Sequence, residues 1–264
     1  MTTIARLYQV PVKGLTPSLV DELAVAADGA VDGDRVLGFL FADAGEADEA
    51  GWRGKTSFLT MQNTPAFARV DTRYDPASGH LSLTYEGSEV VAGDVRAEGD
   101  RDRIVDAVTA LVQGFEVNPL DGHESRMPLR LVGDGATPRF HDRKSHHVTL
   151  VASASIEALA EEIGSDVDER RFRMNATIDG LEPWAELDWI GETIQIGGAE
   201  FDVTGPVVRC LATHANPVTG ERDQDVMQTL TREFGHERPT MGVLAVPRVA
   251  SRLRVGDEVV TPAS

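Results

Sequence analysis

Residues 206–223 read PVVRCLATHANPVTGERD and contain Cys210, the only cysteine in a chain of 264 residues. An apolar run ends at Arg209 and the thiol, and His214, Asn216, Pro217 and Gly220 then cluster in what reads as a turn. A thiol in this position is a ligand, a nucleophile or a small core residue. Lone cysteines are most often buried as small hydrophobes. A flanking cation shifts the balance, because it favours the thiolate, the form that binds metals and attacks electrophiles.

The rest of the chain bounds what that thiol can serve. With 41% hydrophobic residues the sequence can bury a real core, as one large or two small domains. One cysteine closes no intramolecular disulfide, and MTTIARLYQVPVKGL opens with no basic segment leading into an apolar run. The expectation is therefore a reducing cytoplasm, without secretion or a lipid anchor. No apolar run approaches the roughly 20 residues of a membrane span, so no membrane partner is expected. A formal charge of −18 repels a phosphate backbone, and no basic stripe offers nucleic acid a path. Lysine occurs only at Lys13, Lys55 and Lys144, which makes each one worth locating.

Strands are expected over TIARLYQVPVKGL, VLGFLFAD and GHLSLTYEG in the first half. An acidic, glycine-containing stretch, ADAGEADEAGWRGKTSF, reads as an exposed loop. DRIVDAVTALVQGF spaces Ile104, Val105, Val108, Leu111 and Val112 along one face of a helix. Residues 116–128 are turn-rich and mark a boundary or crossing loop. The second half restarts with LRLVGDG and HHVTLVAS, followed by a helix that Ser155 is expected to cap, with a stripe of Ile156, Leu159, Ala160 and Ile163 ending at Gly164. Strands MNATIDG, TIQIGG and AEFDVTGPVV, a helix DVMQTLTREFG, and a last strand pair, MGVLAV and RVGDEVV, complete the chain. Strands dominate without regular βαβ alternation, which predicts a mainly β, α+β architecture.

Motif scans find no Walker loop, no dinucleotide fingerprint after a strand, no His-Glu-x-x-His helix and no paired-cysteine zinc site. FHDRKSHH gathers His141, Asp142, His146 and His147, either as a metal site or as a polar surface loop, since the spacing matches no recognised ligand set.

VVRCLATHANPVTGERD resembles the Arg-Cys-x-x-Thr-x-x-x-Pro-x-Thr-Gly loop of the MOSC family through Arg209, Cys210, Thr213, Pro217, Thr219 and Gly220. VDERRFRMN is similar to that family's Asp-x-x-Arg-Phe-Arg-x-Asn segment, and FGHERPTMGVLAVPRVASRLRVGDEV to its closing run. Upstream, YQVPVKGL resembles the family's opening Tyr-Pro-Val-Lys-Ser-Leu strand and VDGDRVLGFLFAD its Gly-Asp-Arg strand. The resemblance points to two-part members such as the mitochondrial amidoxime-reducing component. It implies an N-terminal β-rich domain over residues 1–125 and a MOSC-type β-barrel domain over residues 126–264.

The resemblance further implies a molybdenum cofactor, Mo-molybdopterin, with Cys210 as the protein's thiolate ligand to the metal. Lys13, Arg35 and Arg173 match anion-binding positions and Asn175 a nearby polar contact, with Arg209, Thr213, Ser145 and His146 as further contacts. His214 is expected as a proton donor on proximity alone. Gly14 departs from the family's serine, and Thr60, Met61, Gln62 and Asn63 stand where relatives often have Thr-x-Arg-Gln. The implied activity is two-electron reduction of N-hydroxylated or N-oxide-like small molecules, with electrons from a separate donor protein or reductase. The alternatives are a sulfur carrier or cofactor-handling protein with a Cys210 persulfide, and a metal-free pathway enzyme using the thiol as nucleophile.

Overall fold

A computed structural model describes residues 1–45 and 53–261. In chain order the strands are β1 (Thr3–Gln9), β2 (Ser18–Val20), β3 (Glu22–Val25), β4 (Gly38–Leu40), β5 (Val70–Asp75), β6 (His80–Tyr85) and β7 (Ser88–Asp94), followed by helix α1 (Glu98–Gln113). Then come β8 (Arg130–Val132), β9 (Val148–Ala152), α2 (Ser153–Ile163), β10 (Ala176–Asp179), β11 (Thr193–Ile196), β12 (Ala199–Val208), α3 (Val226–Arg232), β13 (Thr240–Pro247), β14 (Ser251–Arg254) and β15 (Val259–Val260). Among the described residues the chain is mainly β with three α-helices, as the alternating and apolar runs predict. Of the acidic loop, residues 46–52 lie outside the described residues, and its ends form short 3-10 turns at Ala42–Ala44 and Lys55–Ser57. Among the described residues no helix is long and apolar enough to cross a membrane.

The main sheet has eight strands in the order β15-β11-β12-β13-β9-β10-β1-β2. Its centre is β9 and β13, whose residues are nearly all buried, and such strands read as continuous apolar runs. β9 and β10 run parallel, and α2 lies between them in sequence, because a parallel pair needs a crossover connection. β1 pairs with β10, which places the first strand of the chain inside a sheet built mostly by the second half. β3 pairs with β14 and β4 with β8, so hydrogen-bonded ladders cross the turn-rich segment repeatedly. β5, β6 and β7 form a separate antiparallel meander, against which α1 buries Ile104, Val108 and Val112.

The structure departs from the expectations in several details, among them the strands β2, β3, β5 and β7, which the sequence analysis does not expect. Ser155 does not cap α2. It sits inside the first turn, where its hydroxyl donates to Glu186 Oε2 at 2.8 Å and accepts from the Trp184 amide at 2.8 Å, while Ala152 stands at the cap position. MGVLAV and RVGDEVV do not pair with each other, since β13 lies between β12 and β9, and β15 pairs with β11. The helix does end at Gly164, whose φ of +77° is the left-handed turn that glycine adopts without a Cβ penalty.

Candidate functional site

Lys13 follows β1 in a segment held by its backbone, the Lys13 amide donating to Leu37 O at 2.8 Å. Its side chain is 4% exposed. The ammonium donates to Asp142 Oδ1 at 2.7 Å and to Phe140 O at 2.9 Å, and lies 5.6 Å from the centre of the Phe58 ring. Gly14 has φ +84°, and a Cβ there would stand 2.6 Å from Thr60 Cα. The glycine at the family's serine position is thus required by backbone conformation and by the approach of Thr60.

Arg35 and Arg173 both adopt left-handed backbone, with φ +52° and +51°. That region costs a non-glycine residue roughly 1–2 kcal/mol and concentrates at functional sites. Arg35 forms an ion pair with the buried Asp34 and donates through Nη2 to Arg173 O at 3.3 Å. Arg173 closes the 3-10 turn Glu169–Phe172, and its guanidinium has no hydrogen-bond partner among the described residues. Arg209, one residue beyond β12, donates to Phe172 O at 3.1 Å and to Met174 Sδ at 3.0 Å, while its Nε is buried without a partner.

Cys210 is half-buried, borders the first-half core and opens the 3-10 turn Leu211–His214. Cys210 lines a narrow cleft together with Lys13, Lys55, Asp142 and Arg173. Thr60, Met61, Gln62 and Ala212 close the remaining walls. The space left is about 10 Å³, room for about one water molecule. Thr60 Oγ1 and Gln62 Oε1 are buried at this wall without hydrogen-bond partners.

Positive charge dominates. Lys13, Arg35, Arg173 and Arg209 converge on Asp34 and Asp142. Burial pushes the Lys13 ammonium down against the opposing pull of Asp142. Burial also pushes Arg209 down, to about 10, against the pull of Cys210, which leaves the guanidinium charged at neutral pH. Asp142 reaches solvent, with 54% of its side chain exposed. Protein packed on its other sides would raise its pKa, but Lys13 and Arg173 outweigh that effect and hold the carboxyl well below the usual range.

Other residues singled out in the sequence lie behind or beside this cleft. Asn175 is 0% exposed, accepts from the Thr149 hydroxyl at 2.9 Å, and donates to Tyr8 O and Asp34 Oδ1 at 3.3 Å. It ties β9, β10 and the Asp34–Arg35 corner together. Thr213 is buried, its hydroxyl donating to Cys210 O at 2.9 Å, so it shapes the turn that presents the thiol. His214 accepts from the Met227 amide at 3.4 Å and does not line the cleft. Ser145 is exposed, and His146 pairs with Asp28 at 3.1 Å. Of FHDRKSHH, residues 142–145 are exposed while His141 and His147 are buried, at 2% and 9%, so the segment is only in part a surface loop. Among the described residues no group of three or more His, Cys, Asp or Glu side chains is placed to hold a metal ion. Lys55 and Asp142 are cleft residues that no motif in the sequence marks. Only the scarcity of lysine drew attention to Lys55, and Asp142 carried no signal apart from the histidines around it.

Family models match this chain in two consecutive parts, the MOSC N-terminal beta barrel domain over residues 1–124 and the MOSC domain over residues 137–260. Among curated proteins it is similar to the molybdenum cofactor sulfurase of Anopheles gambiae, 27% identical over 172 residues, covering 61% of this chain and 21% of that protein. The molybdenum cofactor sulfurase of Drosophila grimshawi is 34% identical over 114 residues, covering 42% of this chain and 14% of that protein. The chain therefore matches only 21% and 14% of the length of these relatives. Among solved structures, the YUAD protein from Bacillus subtilis aligns with a TM-score of 0.40 at 12% identity, covering 98% of this chain and 94% of that one.

Proposed function

The chain belongs to the MOSC family in its two-part form, related to the C-terminal domain of molybdenum cofactor sulfurase, and from that premise we propose that it is a molybdenum-cofactor-binding oxidoreductase that reduces N-hydroxylated or N-oxide-like small molecules. One observation carries the reading: the sole thiol, Cys210, opens into the same cleft as Lys13 and Arg173, which come from distant parts of the chain. The donor set fits the group. A soft sulfur suits molybdenum, and cations suit the cofactor's phosphate and dithiolene charge. Arg173 has a guanidinium without a hydrogen-bond partner among the described residues, and Thr60 and Gln62 have buried polar atoms without one.

Cys210 would anchor the metal, Lys13 and Arg173 would hold the anionic end, and Arg35 would keep Arg173 in place through its carbonyl. Bound there, the cofactor supplies a metal centre that exchanges two electrons with substrate. The chain's own part is to fix charge and orientation, and electrons come from a separate donor protein.

The test is molybdenum per chain after gel filtration of protein made in a host that synthesises molybdopterin. Wild type should approach one metal per chain, Cys210→Ser should lose turnover and most of the metal, and Arg173→Ala should lower occupancy. Unchanged occupancy and turnover in Cys210→Ser would sink the assignment. The name of the relatives supports a second reading, sulfur handling at Cys210. That reading expects a mass gain of one sulfur atom on Cys210 in the intact protein, without stoichiometric metal.

A further inference from the structure

One of the protein's own carboxylates, Asp142, lines the space beside Cys210. We propose that Asp142 is an intramolecular stand-in for an anionic ligand, seated among the cations while the site holds no ligand and displaced from Lys13 when a phosphate-bearing ligand enters. The inference rests on the cleft being an anion site and adds how that site is kept shut.

Charge, space and mechanics support it. Lys13 is 4% exposed, and an unpaired ammonium at that depth is costly, so an anion must accompany it whether or not a ligand is present. Two carboxylates serve the four cations. Asp34 is not free to leave, because it is fully buried and accepts from the Val10 amide at 2.6 Å and from Asn175 Nδ2 at 3.3 Å. Asp142 is at the surface, and the ammonium of Lys13 is the one hydrogen-bond partner of its side chain among the described residues.

The cleft that Asp142 lines has about 10 Å³, too little for a phosphate group. Thr60, 6% exposed, keeps an unpartnered hydroxyl oxygen at the wall, a donor or acceptor that water or an entering ligand would complete. The chain before Asp142 is pinned. The amides of Arg139 and Phe140 donate to Arg35 O at 3.1 and 3.0 Å, and the Phe140 ring meets Phe58 edge-on at 5.6 Å. After it, residues 142–145 are exposed before β9 begins. Arg143 Nη2 donates to Pro206 O of β12 at 3.3 Å, so the carboxylate swings out by rotation of the Asp142 side chain, which breaks its bond to Lys13 and leaves that tie in place.

The experiment titrates inorganic phosphate into cofactor-free full-length protein, in low-salt chloride buffer, by calorimetry. Asp142→Asn keeps the shape and removes the charge. It should bind phosphate at least about tenfold more tightly than wild type, a change of about 1.4 kcal/mol. Adding Lys13→Met to that variant should abolish the gain. Equal or weaker binding by Asp142→Asn overturns the stand-in and leaves the cleft an anion site. No phosphate binding by either protein overturns the stand-in and the anion-site reading together. Should the variant not fold, wild type still decides: phosphate should move the amide resonances of residues 142–145 together with that of Lys13, and an unmoved loop overturns the proposal.

Discussion

At the scale of residues, Cys210 touches the first-half core from one side and the cleft from the other. Because it is half-buried, Cys210→Ser should change folding stability by no more than about 1 kcal/mol while removing activity. A variant that unfolds readily in urea would return the cysteine to the core. The histidines flanking the cleft loop set an acid limit. Burial, followed by the charge of Arg35, pushes His147 down to about 4, and the same causes push His141 down to about 2. Both stay neutral in the folded chain at pH 5, whereas the unfolded chain protonates them near about 6.5. The unfolded state thus binds more protons, so stability rises with pH in this window. It is lost as pH falls from about 6.5 towards 4, by up to about 1.4 kcal/mol per pH unit for each histidine. Urea unfolding at pH 7, 6 and 5 should show that slope, and His147→Gln should flatten it by about one proton. An unchanged slope in the variant would refute the assignment to His147.

At the scale of elements, the site depends on how closely backbones approach. Gly242 lies within β13 at φ +76°, and a Cβ there would meet Leu150 O and Met174 Cε, both at 2.4 Å. Met174 in turn receives Arg209 through its sulfur. Gly242→Ala should therefore cost at least about 2 kcal/mol in thermal or urea unfolding, from the strained φ and the overlap together. It should also lower molybdenum retention by shifting Arg209. A variant as stable as wild type would show that β13 relaxes away from β9 at little cost. The elements most legible in the sequence were those with strong periodicity or complete burial, such as α1, β6, β9 and β13. The short strands β2 and β3 escaped because three or four residues give no period to read, and their pairing partners lie in other segments.

At the scale of the molecule, the two family parts, residues 1–124 and 137–260, are separate in sequence but not in hydrogen bonding. β1 and β2 complete the main sheet, and Ile4, Leu7, Leu23, Val25 and Val31 share a core with Leu150, Phe201 and Val243. Residues 129–264 expressed alone would expose the edge of β10 and open that core. The fragment should aggregate or lack cooperative unfolding, as read by gel filtration and near-UV circular dichroism. A monomeric, cooperatively melting fragment would show that the second half stands alone.

The sequence by itself determined the family, the mainly β composition and the presence of one thiol beside an arginine, because these are properties of residue types in order. It also singled out Lys13, Arg35 and Arg173 as cations in matching motifs. Only the tertiary structure decided which side chains share space with the thiol. Lys13 reaches Asp142 across 129 positions of chain, and the carbonyl of Arg173 receives Arg35 across 138. Asn175, Thr213 and His214 stand in the same motifs but face inward or along α3, since hydrogen bonds to Thr149, Cys210 and Met227 orient them. A motif records which residues are near in sequence. Their direction is set by left-handed backbone at Arg35 and Arg173 and by partners that only folding brings within reach.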